Sequence, residues 1–379
     1  MSRVFHLSLF LAVLASVYTL WLQPILVVFG LGRVIQPGLG NSDCTIVSAL
    51  AACEKIILHS STGVLYLACS SPASRAHWTP AVSLLNASGP DVDYIATYVP
   101  DSGVVAHLQT PFPLSLHGMD VVPSASNSSE LYIYAINHRK PSDRRTALSA
   151  GADSTVEIFK MHFGGTTLTH LHTVRDPVIL TPNDIVGSPD GHSFFFTNDH
   201  ASKTGPMRYV SLIGFESGSV GYCDIASGCK IAAQNIHGAN GIVKSPNNDT
   251  FFIANSIFGG ITVMERQSDN ALLKTHVIPT DRGLDNLSID TDGVVWAAGI
   301  PFMFTMIRHI ADPSLLSPAS AHSVAQNTGP SSFYGDKFKV TKVFEDDGRV
   351  ASGTTTVVHD AQRNRLFLHG IASSHLTVC

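Results

Sequence analysis

The sequence predicts an all-β fold, a six-bladed β-propeller preceded by an N-terminal hydrophobic helix. Three observations support this prediction: six segments resemble one another, no long amphipathic helical pattern follows the N-terminus, and one long apolar run stands near the start. In each segment a polar turn is followed by an apolar, strand-like run. The turns fall near residues 62, 125, 190, 247, 292 and 361, about 45–70 residues apart. That spacing fits a four-stranded blade with its loops.

The clearest segments begin with a polar residue five positions before a Ser or Asp that opens the turn. They start at Asn183, Asn240 and Asp285, looser copies start at Glu54 and His117, and a sixth runs through residues 355–368. The alternative is a β-sandwich whose hairpins look alike by chance, but six recurrences of one unit favour the propeller. The polar stretch 312–330 has no strand-like pattern, and we expect it to be a flexible loop.

The apolar run from Phe5 to Leu31 is longer than the core of a signal peptide and long enough to cross a bilayer. Arg3 and the amino terminus precede it and Arg33 follows it, which favours a cytosolic N-terminus and a lumenal or extracellular body. We therefore expect residues 1–33 to be a signal anchor or an uncleaved signal, and residues 34–379 to be the propeller domain. The alternative is a signal peptide cleaved near Ala15. Either arrangement places the body in the secretory pathway, anchored to a membrane or secreted.

The even number of cysteines agrees with an oxidising compartment. Cys44 opens the folded region and Cys379 ends the sequence, so a disulfide between them would lock the two ends of a closed ring. The other four suggest two pairs across short loops, Cys223 with Cys229 and Cys53 with Cys69. For Cys53 and Cys69, free thiols remain an alternative.

The charge of the chain excludes one class of partner. The net charge is -5 and no basic stripe is present, so we expect no nucleic-acid binding. Sequons at Asn86, Asn127 and Asn248 fit a glycosylated lumenal surface, whereas the sequon at Asn286 is expected to be buried.

The polar residues that lead the segments are the main functional signal. In a propeller the innermost strand of each blade lines the central tunnel, so equivalent leaders converge at one mouth of that tunnel. The leaders are Glu54, His117, Asn183, Asn240 and Asp285, with Asp184 and Asn286 beside two of them. Carboxylates and amide carbonyls form an oxygen-rich set that suits calcium better than zinc. The alternative for any single Asn is a turn or a blade-capping residue.

The order and spacing of six motifs resemble the paraoxonase/arylesterase family over roughly residues 44–379. The motifs are Leu116-His117-Gly118, Ile136-Asn137-His138, Pro182-Asn183-Asp184-Ile185-Val186, Thr197-Asn198-Asp199-His200, Ala239-Asn240-Gly241-Ile242 and Asp285-Asn286-Leu287-Ser288-Ile289-Asp290. The resemblance implies a six-bladed propeller with two calcium ions in its tunnel. It also implies hydrolysis of lactones, aryl esters and sometimes organophosphates.

The resemblance assigns roles to individual residues of this chain. The catalytic calcium would be held by Glu54, Asn183, Asn240, Asp285 and Asn286. Asp184 and the backbone carbonyl of Met119 would face a second, structural calcium. His117 would activate water with His138 as its partner, and Asp199 would lie in the substrate pocket. If His117 is only a hydrogen-bonding residue of the tunnel, Asp285 would serve as nucleophile or base.

The chain departs from the family pattern at two places. Lys55 stands where the family has an acidic residue, and a protonated lysine cannot bind calcium. Its ammonium is expected to take the place of the second ion and to pair with Asp184, unless the alignment slips there. In addition, Gly299-Ile300-Pro301 follows Trp296 where the family often carries a histidine, so the rim of the pocket is expected to differ.

These features together predict a calcium-dependent esterase and lactonase. No Gly-x-Ser-x-Gly motif is present, so the signature of a serine hydrolase is missing. The expected substrate is a small lipophilic ester or lactone, and the N-terminal segment would hold the tunnel mouth near a membrane. Two alternatives remain: a sugar lactonase with one calcium, and a non-catalytic lumenal propeller in which calcium is structural.

Overall fold

Four strands build each blade of a closed propeller. A computed structural model describes the backbone of residues 2–379 and the side chains from Phe5 onward. Within this range the strands form six four-stranded antiparallel sheets and one two-stranded sheet. Each innermost strand contacts the innermost strand of the next blade, and the sixth contacts the first. The predicted six-bladed propeller is therefore confirmed.

The N-terminal segment is helical and precedes the first strand. It comprises α1 (Ser2–Val17), a π-helical turn (Tyr18–Leu22) and α2 (Gln23–Val28). The stretch Phe5–Val28 has a mean hydropathy of 2.0 and is long enough to cross a membrane, and only 11% of its most apolar window is buried. The predicted N-terminal hydrophobic helix is thus present. The orientation expected from the amino terminus and Arg3 lies outside the residues whose side chains are described.

Blades 1 to 5 each run from the innermost to the outermost strand in chain order. Blade 1 is β2 (Lys55–His59), β3 (Val64–Cys69), β6 (Tyr94–Val99) and β7 (Val104–His107). Blade 2 is β8 (Leu116–Pro123), β9 (Glu130–Arg139), β10 (Asp153–His162) and β11 (Thr169–Val174). Blade 3 is β12 (Pro182–Gly187), β13 (Ser193–Asn198), β14 (Gly218–Asp224) and β15 (Gly228–Ile236). Blade 4 is β16 (Ala239–Lys244), β17 (Thr250–Asn255), β18 (Ile261–Arg266) and β19 (Leu272–Ile278). Blade 5 is β20 (Gly283–Ile289), β21 (Val295–Ile300), β22 (Ala319–Gln326) and β23 (Phe338–Asp346).

Blade 6 is assembled from both ends of the sequence. It contains β24 (Thr356–Asp360), β25 (Arg365–His369) and β26 (Leu376–Val378), and its outermost strand is β1 (Thr45–Val47). Strand β1 pairs antiparallel with β26, so that Thr45 faces Val378. The disulfide between Cys44 and Cys379 lies immediately beyond this pairing. The ring is therefore closed both by a strand pairing and by a covalent bond.

The other two disulfides lie within single blades. Cys53 pairs with Cys69 in blade 1, and Cys223 pairs with Cys229 across the β14–β15 turn. The part of the chain that the structure describes holds no free cysteine. The alternative of free thiols at Cys53 and Cys69 is therefore not what the structure contains.

The apolar core lies mainly between neighbouring blades. Each of the six junctions holds a cluster of buried side chains contributed by two adjacent sheets. At the closing junction, for example, Ile56 and Leu67 of blade 1 pack with Val358 and Phe367 of blade 6. Apolar side chains that follow the polar leaders supply these clusters, as the repeated segments predicted.

Connections on one side of the ring carry the remaining helices. Each joins the second and third strands of a blade, so all of them stand at the end where the innermost strands begin. They contain α3 (Pro72–His77) with a 3₁₀ turn (Pro80–Val82) and strands β4 (Trp78–Thr79) and β5 (Leu84–Leu85); a 3₁₀ turn (Arg144–Thr146) with α4 (Ala147–Ala150); a 3₁₀ helix (Pro206–Ile213); and α5 (Met303–Ala311). A further 3₁₀ turn (Pro330–Tyr334) lies between β22 and β23.

One sequence expectation is wrong. Residues 312–330 were expected to form a flexible loop, but Ala319–Gln326 is strand β22, paired with both β21 and β23. Its inward side chains are small, and Ala319 and Ala321 are fully buried between larger neighbours. A strand without large apolar residues lacks the pattern that marks a strand in sequence, and here the two adjacent strands impose the conformation.

Replacing Cys44 and Cys379 by serine is expected to lower the free energy of unfolding by about 2–4 kcal/mol. This disulfide closes a loop of 335 residues, so its loss releases much more chain entropy in the unfolded state than loss of a short loop. The matched control replaces Cys223 and Cys229, which are only six residues apart. Chemical denaturation should show the larger loss for the first pair. Equal losses would contradict an entropic role in ring closure.

Candidate active site at one mouth of the tunnel

Irregular strand pairing positions the polar leaders in four blades. Strands β8, β12, β16 and β20 each shift register against the second strand of their blade, and the shift brackets two residues. The bracketed pairs are His117-Gly118, Asn183-Asp184, Asn240-Gly241 and Asp285-Asn286. β-Bulges of this kind turn side chains away from the regular alternation. The four pairs stand at the same level of the tunnel because the blades are equivalent.

Two glycines in these bulges allow adjacent blades to approach closely. A Cβ on Gly118 would overlap the carbonyl oxygen of Asn183 in the next blade. A Cβ on Gly241 would overlap the backbone nitrogen of Leu287 in the blade after it. Glycine at both positions therefore brings the leaders of neighbouring blades within reach of one another.

The bulges leave several buried oxygen atoms without hydrogen-bond partners. Among the described residues these include the Oδ1 atoms of Asn183, Asn240, Asp285 and Asp184. Each unsatisfied buried acceptor costs about 1–3 kcal/mol. A hard cation bound between the first three oxygens would satisfy them together, and oxygen ligands are those that calcium prefers. The donor set thus fits the calcium ion that the sequence predicted.

Glu54 adds a carboxylate to this set. Its Oε1 accepts a hydrogen bond of 3.0 Å from Asn286 Nδ2, and its Oε2 accepts one of 2.7 Å from Thr355 Oγ1. The described residues contain no cluster of three or more His, Cys, Asp and Glu suited to a metal. Amide oxygens make up part of the set at this site, so its composition favours calcium over a metal that prefers nitrogen or sulfur.

The buried carboxylates disfavour one another's charge. Burial raises the pKa of Glu54 to about 7, although its hydrogen bond with Thr355 opposes the shift. Burial, together with the nearby Glu54 and Asp184, raises the pKa of Asp285 well above its usual range. A divalent cation among these groups would favour their ionised forms. The charge of such a cation would therefore oppose the rise that burial causes in both pKa values.

Lys55 lies deeper in the tunnel, next to this cluster. Its Nζ is 2.6 Å from Asp184 Oδ2, so the ion pair expected from the sequence is present. The same ammonium lies 3.4 Å from Asn286 Oδ1. The oxygen of Asn286 thus faces Lys55 and its amide nitrogen faces Glu54, which sets Asn286 apart from the residues with unpaired oxygens.

His117 stands beside Glu54, and His138 packs next to His117. His117 Nε2 is 3.8 Å from Glu54 Oε1, and the two imidazole rings are 5.1 Å apart between centroids. Neither Nε2 atom has a hydrogen-bond partner among the described residues. His138 Nδ1 lies 2.9 Å from Ser154 Oγ, which fixes the orientation of that ring.

Both histidines are neutral at physiological pH. Burial lowers the pKa of His117 well below 6.5, and His138 and Arg75 lower it further. Burial also lowers the pKa of His138 to about 4. Each imidazole therefore has an unprotonated nitrogen able to accept a proton.

An apolar cavity of about 160 Å³ stands over the oxygen cluster. A single water needs about 10–15 Å³, so the space suits a small organic molecule. Its polar floor is lined by Glu54, His117, Asn183, Asn240 and Asp285. Asp199, predicted to lie in the pocket, is also in the wall, and its Oδ1 has no hydrogen-bond partner.

The apolar walls come from segments that the sequence did not assign to the site. They include Val82, Leu212, Met303, Met306, Ile310 and Ile371. Helix α5 presents Met303, Met306 and Ile310 at intervals of three and four residues, a short helical pattern that is visible in the sequence. Ile300, from the segment where the family often has histidine, also lines the cavity and makes this part of the wall apolar.

Arg75 is a buried cation near the site that the sequence did not single out. Its Nη1 donates a 2.5 Å hydrogen bond to the carbonyl oxygen of Leu116 and lies 3.5 Å from Asp93. Asp93 in turn accepts a 2.7 Å hydrogen bond from the backbone nitrogen of Leu116. Arg75 and Asp93 therefore fix the backbone of Leu116, the residue directly before His117. No motif in the sequence connects Arg75 with this position.

The chain matches a family model and proteins of known name. The model, described as Arylesterase, matches residues 112–375. The chain is 29% identical over 236 residues to serum paraoxonase/arylesterase 2 of Gallus gallus, covering 61% of this chain and 60% of that protein. It is 28% identical over 239 residues to the protein of the same name from Homo sapiens, covering 62% of each. The matched part thus spans about three fifths of the length of these relatives.

The fold is also similar to that of a solved structure. A luciferin-regenerating enzyme superimposes with a TM-score of 0.52 and 12% sequence identity, covering 88% of this chain and 94% of that enzyme. At this identity the likeness concerns the fold alone.

Proposed function

Because this chain belongs to the arylesterase family, we propose that it is a calcium-dependent hydrolase of lactones and aryl esters. The observation that carries the proposal is the set of unpaired buried oxygens on the floor of an apolar cavity, next to a neutral histidine. We assign this activity to a domain of residues 34–379. Residues 1–33 then act as a signal anchor or an uncleaved signal segment.

Four side chains would hold the calcium ion: Glu54, Asn183, Asn240 and Asp285. The three Oδ1 atoms without partners support this assignment, and the two oxygens of Glu54 can each accept a further contact. Asn286 takes part by orienting Glu54 through its 3.0 Å hydrogen bond. When bound, calcium supplies a Lewis acid that polarises the substrate carbonyl and stabilises the negative charge of the transition state.

His117 acts as the general base in this proposal. It lines the cavity and is neutral, so its free nitrogen can take a proton from a water molecule that attacks the ester carbon. Arg75 and Asp93 support it by fixing the backbone at Leu116. His138 packs behind the ring and is held by Ser154, which suits a positioning residue or a second proton acceptor. The alternative base is Asp285, the carboxylate with the strongly raised pKa.

The cavity walls favour a small lipophilic substrate. Methionine and isoleucine side chains line the cavity above the oxygen cluster and make its walls apolar. Asp199 adds one polar group to the wall, where a substrate hydroxyl or leaving group would find an acceptor. These features favour aliphatic lactones and phenyl esters over polyhydroxylated sugar lactones.

A membrane location near the cavity is part of the proposal. The carbonyl oxygen of Phe29, directly after the N-terminal helices, accepts a 3.4 Å hydrogen bond from the backbone nitrogen of Met303 in α5. The rings of Phe29 and Phe304 also stack edge to face at 5.5 Å. The apolar helix is thus attached to the element that forms a cavity wall. Together with three disulfides, it supports a protein of the secretory pathway, either membrane-anchored or secreted.

The experiment that tests this function is a chelator-reversible hydrolysis assay of the purified protein. An aliphatic lactone, a sugar lactone and phenyl acetate are each assayed with calcium, then with a chelator, then with calcium restored. We expect turnover of the aliphatic lactone and of phenyl acetate that disappears with chelator and returns with calcium. Preference for the sugar lactone would identify the alternative function, a sugar lactonase. A folded, calcium-loaded protein without turnover would contradict the hydrolase and leave a binding propeller.

A further inference from the structure

Lys55 is a charged side chain enclosed in the tunnel. Only 2% of its side chain is exposed, and none of that of its partner Asp184. An ammonium has three N–H donors, and three acceptors surround this one. They are Asp184 Oδ2 at 2.6 Å, the carbonyl oxygen of Leu287 at 3.2 Å and Asn286 Oδ1 at 3.4 Å. The ammonium therefore replaces its lost hydration completely with protein atoms.

These contacts connect three blades across the tunnel. Lys55 belongs to β2 of blade 1, Asp184 to β12 of blade 3, and Asn286 and Leu287 to β20 of blade 5. Alternate blades do not share an apolar junction, so the ammonium supplies a link that the core does not. Asp184 Oδ2 also accepts a 2.9 Å hydrogen bond from the backbone nitrogen of Ile242. This contact connects blade 4 to the same group of residues.

The buried charges around Lys55 and Asp184 limit how many divalent cations this part of the tunnel can accept. Glu54, Asp184 and Asp285 are carboxylates. Lys55 pairs with Asp184, and the nearby Arg75 is balanced by its own partner Asp93, so the ionised cluster carries a net charge of −2. One divalent cation neutralises it. A second would leave two positive charges in a site of low dielectric constant, where an unbalanced charge is costly.

The positions of the oxygen atoms lead to the same conclusion as the charges, that the tunnel accepts one divalent cation. Asp184 Oδ2 is already engaged by Lys55 and Ile242. Asp184 Oδ1 has no hydrogen-bond partner among the described residues, but Asp184 does not line the cavity above the oxygen cluster. The oxygens open to a metal are those of Asn183, Asn240 and Asp285 on the cavity side.

We propose that Lys55 is a built-in cation that restricts the tunnel to a single divalent metal and ties blades 1, 3 and 5 together. The inference rests on the proposed calcium site, but concerns its stoichiometry and not its catalysis. Asp184 and the carbonyl oxygen of Met119 then hold no metal, and the ammonium fills the position that the family resemblance gave to a structural ion. The tunnel keeps this cross-link whether or not calcium is bound.

The test is the calcium stoichiometry of the full chain and of Lys55→Asp. Chelator-treated protein is titrated with calcium in a calorimeter, and bound calcium is measured by elemental analysis after dialysis. We expect one calcium per chain for the unmodified protein. Lys55→Asp removes the ammonium and adds a carboxylate, so we expect two. Lys339→Asp, the same change on an exposed outer strand, should stay at one.

A thermal measurement keeps the proposal testable if the variant is unstable. In chelator, the melting temperature of Lys55→Asp should fall well below that of the unmodified protein, and calcium should restore most of the difference. The unmodified protein should shift less with calcium, because its cross-link is permanent. Two calcium ions in the unmodified protein would overturn the proposal while leaving the hydrolase intact. Binding of no calcium would instead contradict the proposed function.

Discussion

Replacing Asp285 by asparagine is expected to lower kcat/KM for the preferred ester at least about 100-fold, equivalent to about 2.7 kcal/mol of transition-state stabilisation. The change removes one negative charge from the buried oxygen cluster and keeps the size of the side chain. Fewer ligand charges weaken calcium binding, so the calcium concentration needed for half-maximal activity should rise as well. Steady-state kinetics over a series of calcium concentrations measure both effects.

The calcium dependence of this variant also separates two roles of Asp285. If the carboxylate only binds calcium, high calcium should recover much of kcat. If it also serves as nucleophile or base, kcat should stay low at saturating calcium. The matched control is Asp290→Asn, just beyond the other end of β20, where the carboxylate binds Trp296 Nε1 at 2.8 Å and His359 Nδ1 at 2.9 Å. We expect it to reduce stability but to keep activity within several-fold. An Asp285→Asn variant as active as the control would contradict the site.

Replacing His117 by glutamine is expected to lower kcat about 100-fold to 10,000-fold, the range usual for loss of a general base. Calcium stoichiometry should not change, because glutamine removes only the proton acceptor and none of the proposed ligands. The pKa of His117 lies well below 6.5 as a result of burial, so the imidazole stays neutral as the pH falls from 8 to 6.5. Protonation of His117 should therefore not reduce kcat/KM of the unmodified enzyme over that range, which a pH profile measures.

The control for His117 is another buried histidine outside the cavity. His322 of blade 5 has a pKa lowered to about 4, chiefly by burial, and His322→Gln should leave kcat nearly unchanged. Full activity of His117→Gln, together with loss of activity in Asp285→Asn at saturating calcium, would transfer the base role to Asp285.

The sequence predicted the ring and the residues at its mouth because both follow from repetition. A leader, a turn and an apolar strand recur in each blade, and equivalent positions in a closed ring must meet. The Lys55–Asp184 pair was expected from the family resemblance, which places both residues at the position of the second metal ion. The bulges were not predictable, because a register shift depends on the partner strand and leaves no residue pattern of its own.

Other parts of the site depend on contacts between distant segments. The cavity walls come from loops of several blades, and the apolar positions of α5 extend over only about two turns. Arg75 reaches Leu116 from a helix 41 residues earlier, a contact without a sequence signature. The orientation of Asn286 follows from Lys55 on one side and Glu54 on the other, and so requires three blades to be assembled. Strand β22 takes its conformation from its neighbours and not from its own small residues.

Because blade 6 is assembled from both ends of the sequence, it can close only after the last strand has been synthesised. Cys44 must wait for Cys379, 335 residues later, which corresponds to roughly 20–70 s at a translation rate of about 5–20 residues per second. During that interval β1 has no partner strand, and the thiol of the adjacent Cys44 can form a disulfide with the wrong cysteine. Cys53 and Cys69 are only 16 residues apart and can pair with each other early. Once paired, their thiols no longer compete for Cys44. Early pairing of Cys53 with Cys69 therefore leaves fewer competing thiols when Cys379 becomes available to Cys44.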